Sequence, residues 1–222
     1  MTELPVTALV VAKAPVPGLA KTRLAATVGN EVAAVIASAA LLDTLDAVLA
    51  APVAHRVVAM TGDLDQARNR SAIRKALGEF TVVPQRGESF AERLVHAHAD
   101  AAAAGGLPVL QVGMDTPQLT GELLGRCGEE LLGTDAVLGP ATDGGWWLLG
   151  VRSAGMADCL RTVPMSRADT GELTLKALRN NSLEVSLVDE LADVDTADDV
   201  DLVRRACPPG ARFPFATAAA GL

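Results

Sequence analysis

Three cations stand within eleven residues near the start of the chain: Lys13, Lys21 and Arg23, in the stretch Lys13-Ala-Pro-Val-Pro-Gly18-Leu-Ala-Lys21-Thr22-Arg23-Leu24. The protein around them is acidic, with a formal net charge of −8. Two prolines and Gly18 make this a stiff loop that cannot be helical. Backbone N–H donors on a stiff loop, with cations beside them, are what a polyphosphate needs. Gly18-Leu-Ala-Lys21-Thr22 looks like the end of a Walker A loop, but the first glycine and the glycine before the lysine are missing. The segment is not G-x-G-x-x-G, which argues against a dinucleotide site. A solvated basic loop is the plainer alternative.

A lone carboxylate and an acidic cluster come next. Gly113-Met-Asp115-Thr-Pro117 places Asp115 just past an apolar run, where it could hold Mg²⁺ or Mn²⁺ through oxygen. An N-cap or Asx-turn role is the alternative, although Thr120 is better placed to cap the following helix. Between Asp189 and Asp199 there are six carboxylates in eleven residues. They repel one another unless a cation or the basic loop offsets them. Thr196 reads as a helix cap with Asp198 and Asp199 in its first turn, which leaves Asp195 to face a site. Asp115 and Asp195 together would suit a divalent metal carrying a nucleotide phosphate.

The third constellation is Gly139-Pro-Ala-Thr-Asp143-Gly144-Gly145-Trp146-Trp147. Asp-Gly-Gly makes a tight hairpin turn, and the same glycines would let a substrate approach the backbone closely. Alternation sends the two tryptophans to opposite faces; Trp146, nearer the turn, is the one expected at a cleft. His55, His96 and His98 have no convincing catalytic partner, and His96 and His98, at i and i+2 of a helix, face different sides.

These residues need elements to position them. Short Val- and Leu-rich runs at 6–12, 56–60, 80–83, 108–113, 135–139, 146–151 and 184–188 read as strands. Longer segments at 30–50, 64–77, 88–104, 121–132, 172–180 and 196–206 read as helices. The alternation predicts an α/β fold in three α/β/α layers, with a mostly parallel, doubly wound sheet. Ligands then lie beyond the carboxyl ends of the strands, where the three constellations fall. The whole chain, 1–222, reads as one domain, with a tail over 208–222 that wraps the surface or frays.

Composition narrows the classes. With 50% hydrophobic and 21% charged residues the chain is not disordered. The acidic balance, 3% aromatics and absence of tyrosine argue against a nucleic-acid partner. No run approaches 18 apolar residues without polar interruption, so no membrane span is expected. The N-terminus lacks the basic region of a signal peptide. Cys127, Cys159 and Cys207 show no C-x-x-C spacing, which fits a reducing cytosol and no zinc site. A cytoplasmic protein is the expectation.

Taken in order, VAKAPVPGLAKTRL, GMDTPQLT, LGPATDGGWWLLGV and DVDTADDV resemble the bacterial glycosyltransferase-like family of domains of unknown function. That family belongs to the nucleotide-diphospho-sugar transferase superfamily, of glycosyltransferase-A type fold. The pattern is similar, more distantly, to the 2-phospho-lactate, phosphoenolpyruvate and molybdenum-cofactor guanylyltransferases, and it spans roughly residues 6–204. The resemblance implies that the loop of Lys13, Lys21 and Arg23, with Gly18 as its turn, binds nucleotide phosphate and that Asp115 and Asp195 hold the metal. It implies that Asp143, Gly144 and Gly145 contact the acceptor, to which the alternation above adds Trp146. The chain departs from the family at Met165-Ser166, where an aromatic often precedes the serine, and at Trp146, where tyrosine is commoner. The usual Asp-x-Asp is reduced to Asp115, as in the nucleotidyltransferase branch. The expected activity is transfer of a nucleotidyl group from an NTP to a small phosphorylated acceptor, with Lys21 and Asp115 catalytic and Mg²⁺ or Mn²⁺ as cofactor. Sugar transfer from a nucleotide sugar, or nucleotide binding without turnover, are the alternatives.

Overall fold

Strands that are apolar on both faces must be covered on both faces. Among the described residues seven strands form one sheet: β1 (Leu4–Lys13), β2 (Val53–Thr61), β3 (Thr81–Pro84), β4 (Val109–Gly113), β5 (Ala136–Pro140), β6 (Trp146–Val151) and β7 (Val185–Leu187). Its inner strands follow this rule, and its edge strands β3 and β7 are exposed or half-buried. The computed structural model describes residues 3–192, 194 and 197–222, except the side chain of Asp198. The spatial order is β3-β2-β1-β4-β6-β5-β7. Among the described residues only β6 runs antiparallel to its neighbours, because a turn of five residues, 141–145, joins it directly to β5.

One face of the sheet packs on α2 (Asn30–Ala50), α3 (Arg70–Leu77) and α5 (Gly121–Gly133). The other packs on α4 (Phe90–Gly105), a 3-10 helix (Ala154–Thr162) and α6 (Thr170–Asn180). This is the expected three-layer α/β/α architecture. Three further helices, α1 (Thr22–Val28), α7 (Ala197–Ala206) and α8 (Arg212–Ala219), close over the outer side of α2. Leu24, Ile36, Ala40, Val194, Val200, Val203 and Phe213 form their common core. Buried on both sides, α2 is apolar nearly all round. Within its 21 residues one 18-residue window has a mean hydropathy of 1.9, long and apolar enough to cross a membrane, but 78% of that window lies inside the fold.

Three expectations are corrected. The basic loop is non-helical only through Lys21: α1 begins at Thr22, because Pro15, Pro17 and Gly18 all precede it and Leu24 has a core to enter. The helix expected over 64–77 starts only at Arg70. Before it, Asp63 Oδ1 accepts from the Asp65 amide at 2.8 Å, holding a turn, and Asn69 is left-handed. The tail neither frays nor merely wraps the surface. Its helix α8 buries Phe213 completely, and Asp43 of α2 accepts from the backbone N–H of Arg212 and Phe213 at 2.9 and 2.8 Å.

Candidate functional site

The basic loop leaves β1 at Lys13 and ends at Lys21, which has left-handed backbone angles (φ 47°) at the start of α1. The loop is braced from within. Lys13 Nζ donates to the Leu19 carbonyl at 2.8 Å, and the Lys13 amide approaches Met114 Sδ at 3.1 Å. Gly18, also left-handed (φ 77°), turns the chain above Asn30. Arg23 lies exposed in the first turn of α1, with interactions of its own.

Lys21 reaches back across the carboxyl ends of β1 and β4. Its Nζ lies 2.5 Å from Asp115 Oδ2 and donates to the Val194 carbonyl at 2.5 Å. The side chains of Lys21 and Asp115 are 11% and 32% exposed, so this is an ion pair in a partly dried cleft. The helix after Asp115 is capped by Thr120, whose hydroxyl accepts from the Leu123 amide at 3.1 Å, as expected. A Cβ on Gly113 would sit 2.9 Å from Asp115 Oδ1. Glycine there leaves room for the carboxylate.

The segment before Val194 is sewn to the same end of the sheet. Gln118 Nε2 donates to the Ala192 carbonyl at 2.6 Å. Thr142 N donates to Leu191 O at 3.0 Å, and Leu191 N to Pro140 O at 3.1 Å. Trp147 Nε1 donates to Asp189 O at 3.0 Å. The basic loop, Asp115 and the acidic segment therefore meet. Asp195, Asp193 and Thr196 lie outside the described residues, but Val194 next to Asp195 is part of this junction.

The glycine turn has a packing reason of its own. Asp143 Oδ1 accepts from the Gly145 amide at 2.8 Å, an Asx-type brace. The Gly144 carbonyl accepts from Gly171 N at 2.8 Å, and a Cβ on Gly144 would fall 1.8 Å from Ala168 O. The close approach that Gly144 permits is thus to the chain entering α6. Trp147 is 4% exposed in the core, whereas Trp146 is half-buried against the opposite core. Their split between faces follows the expected alternation.

Sequence reasoning missed Gly113, Gln118 and the Val194 carbonyl; glutamines and carbonyls carry no spacing signature. It also missed Gln85, whose Nε2 donates to Ala12 O and Ala59 O at 2.8 and 3.0 Å and ties the ends of β1 and β2 together.

The three cysteines are poor nucleophiles and His98 is a poor base. Burial pushes the Cys127 thiol up to about 11 and the Cys207 thiol to about 12, and raises Cys159. Burial lowers His98 to about 4, so it is neutral, while His96 Nδ1 pairs with the Arg86 carbonyl at 2.8 Å. The chemistry available here is positioning and charge neutralisation. Among the described residues no three His, Cys, Asp or Glu side chains gather into a metal cluster. Asp115 and the Val194 carbonyl do present two oxygens to a single cation, a set that fits a hard divalent ion completing its shell with water and phosphate.

A mostly parallel sheet with these loops at its carboxyl end defines the fold of the nucleotide-diphospho-sugar transferases. A protein from Desulfovibrio desulfuricans G20, provisionally assigned as such a transferase, is 27% identical with a TM-score of 0.84, over 100% of this chain and 96% of that one. Rv0371c of Mycobacterium tuberculosis H37Rv, solved in complex with manganese, is 21% identical with a TM-score of 0.55, over 90% and 97% of the two chains. CMP:2-keto-3-deoxy-manno-octonic acid synthetase, solved with CTP, shares 14% identity and a TM-score of 0.54, over 90% and 97%. The latter two likenesses establish fold alone. No curated protein matches the chain in sequence. Residues 44–167 match the family of uncharacterized proteins conserved in bacteria, DUF2064, and the chain belongs to that family. The resemblance carried by the four motifs is borne out.

Proposed function

We propose that this chain is a metal-dependent transferase acting on a nucleotide donor, and that the transferred group is nucleotidyl. The observation that carries the reading is the junction of Lys21, Asp115 and the Val194 carbonyl at the carboxyl ends of β1 and β4. Lys21, Arg23 and the backbone around Gly18 would receive the polyphosphate, and Lys13 would keep the loop in shape through Leu19. Asp115, the Val194 carbonyl and Asp195 would hold Mg²⁺ or Mn²⁺. The metal, when bound, neutralises phosphate charge. The protein's own part is to align the α-phosphate with a phosphorylated acceptor held near Asp143, Gly144, Gly145 and Trp146. Such in-line displacement needs no covalent protein nucleophile, which agrees with the raised cysteine pKa values. The manganese and CTP complexes of the fold relatives support a metal and a nucleotide as ligands.

The second reading keeps the site and changes the donor to a nucleotide sugar, as the Desulfovibrio relative suggests. The product decides between them. Pyrophosphate release supports nucleotidyl transfer, and nucleoside diphosphate release supports sugar transfer. Nucleotide binding with neither product would reduce the chain to a binding module. A thermal-shift panel of NTPs and nucleotide sugars with and without Mg²⁺ selects the donor first, since binding at a hundredfold excess over Kd adds about 2.7 kcal/mol of apparent stability.

A further inference from the structure

Lys21 already places a cation where the proposed reaction needs one. Its ammonium bridges Asp115 Oδ2 and the Val194 carbonyl, at 2.5 Å from each. A divalent ion drawn to these oxygens cannot share them with the ammonium, because like charges a few ångströms apart repel strongly in a partly dried cleft. The lysine stem is flexible, and its compact charge suits a phosphate oxygen as well as a carboxylate.

We propose that Lys21 is a tethered counter-ion, displaced from Asp115 and Val194 by the divalent metal and then paired with the phosphate of the donor. The proposal rests on the metal–nucleotide reading above and adds a coupling between its two ligands. Metal binding frees the ammonium that polyphosphate needs, and polyphosphate draws away the ammonium that opposes the metal. Each ligand must therefore raise the affinity of the other by the same factor. With neither bound, the bridge neutralises Asp115 and holds the basic loop against the segment ending at Val194.

The test titrates Mn²⁺ alone into the chain and counts free ion by electron paramagnetic resonance, without nucleotide. Lys21→Met, which keeps the length and removes the charge, should bind Mn²⁺ at least about tenfold more tightly than wild type, about 1.4 kcal/mol. Lys21→Arg should show no such gain, and Asp115→Asn should lose the site. Inorganic tripolyphosphate titrated with and without saturating Mn²⁺ should show a larger mutual enhancement in wild type than in Lys21→Met, where only the direct attraction between metal and phosphate is left. Circular dichroism verifies folding, and Lys21→Gln replaces the methionine variant if that one does not fold. Mn²⁺ binding by the uncharged variant that is equal to or weaker than wild type overturns the proposal, as does absence of Mn²⁺ binding from both. These readouts involve no turnover, so failure to release pyrophosphate or nucleoside diphosphate would be a separate result, against the transferase reading only.

Discussion

Gly144→Ala separates a turn built for packing from a turn built for a ligand. Gly144 has φ +85°, and an added Cβ would lie 1.8 Å from Ala168 O and 2.6 Å from its carbonyl carbon. That oxygen is backbone, in the segment entering α6, so no side-chain rotation relieves the overlap. A left-handed alanine costs roughly 1–2 kcal/mol, and forced overpacking typically adds about 1–3 kcal/mol. The sum is a loss of roughly 2–5 kcal/mol. Gly145→Ala is the internal control. Its φ lies outside the left-handed region, and the nearest atom to its Cβ is the exposed Asp143 Oδ1 at 3.0 Å, so the loss should stay under about 1 kcal/mol. Urea denaturation followed by far-ultraviolet circular dichroism measures both. If the turn also contacts acceptor, Gly145→Ala should raise the acceptor KM and leave the donor KM near wild type. Stability of Gly144→Ala within about 0.5 kcal/mol of wild type, the usual scatter of neutral substitutions, would refute the docking argument.

Asp115→Asn should abolish metal-dependent turnover while the unfolding midpoint stays near wild type; retained turnover would remove Asp115 from the metal site. Lys21→Ala and Arg23→Ala should each weaken nucleotide binding by roughly 1.5–3 kcal/mol, the worth of a charge-assisted contact, measured by calorimetry; unchanged affinity in both would return the loop to a solvated face. Asp43→Ala strips acceptors from two α8 backbone N–H groups; it should cost about 3 kcal/mol or more and expose Cys207 to a thiol reagent. His98 is buried and held near 4, whereas an unfolded histidine titrates near 6.5. The unfolded chain therefore binds the extra proton in that window, and stability falls by about 3 kcal/mol as pH drops from about 6.5 to about 4. Urea titrations across this range should show a flatter slope in His98→Leu, and an unchanged slope would show that other groups carry the effect.

Local chemistry determined much of this protein from sequence alone. Ala-rich 30–50 and apolar 146–151 have the bounds read from the sequence, because length and side-chain type leave each one regular state. The order of strands and helices sufficed for the layers, and loop residues after strands sufficed to place Lys21 and Asp115 at the sheet's carboxyl end. Elements whose stability comes from distant partners were not legible. Helix α8 carries Pro214 in its first turn and depends on Asp43, about 170 positions earlier. Helix α1 lacks a side-chain cap and forms around Leu24 in a core shared with Val194 and Phe213. The doublet Gly144-Gly145 has the same letters whether a ligand or Ala168 lies against it, and only the docked backbone distinguishes them. The pairing of Lys21 with Asp115 and the Val194 carbonyl was likewise a tertiary decision. Composition puts cations and carboxylates in the same chain, but which of them meet depends on how the sheet brings residues 21, 115 and 194 to one edge.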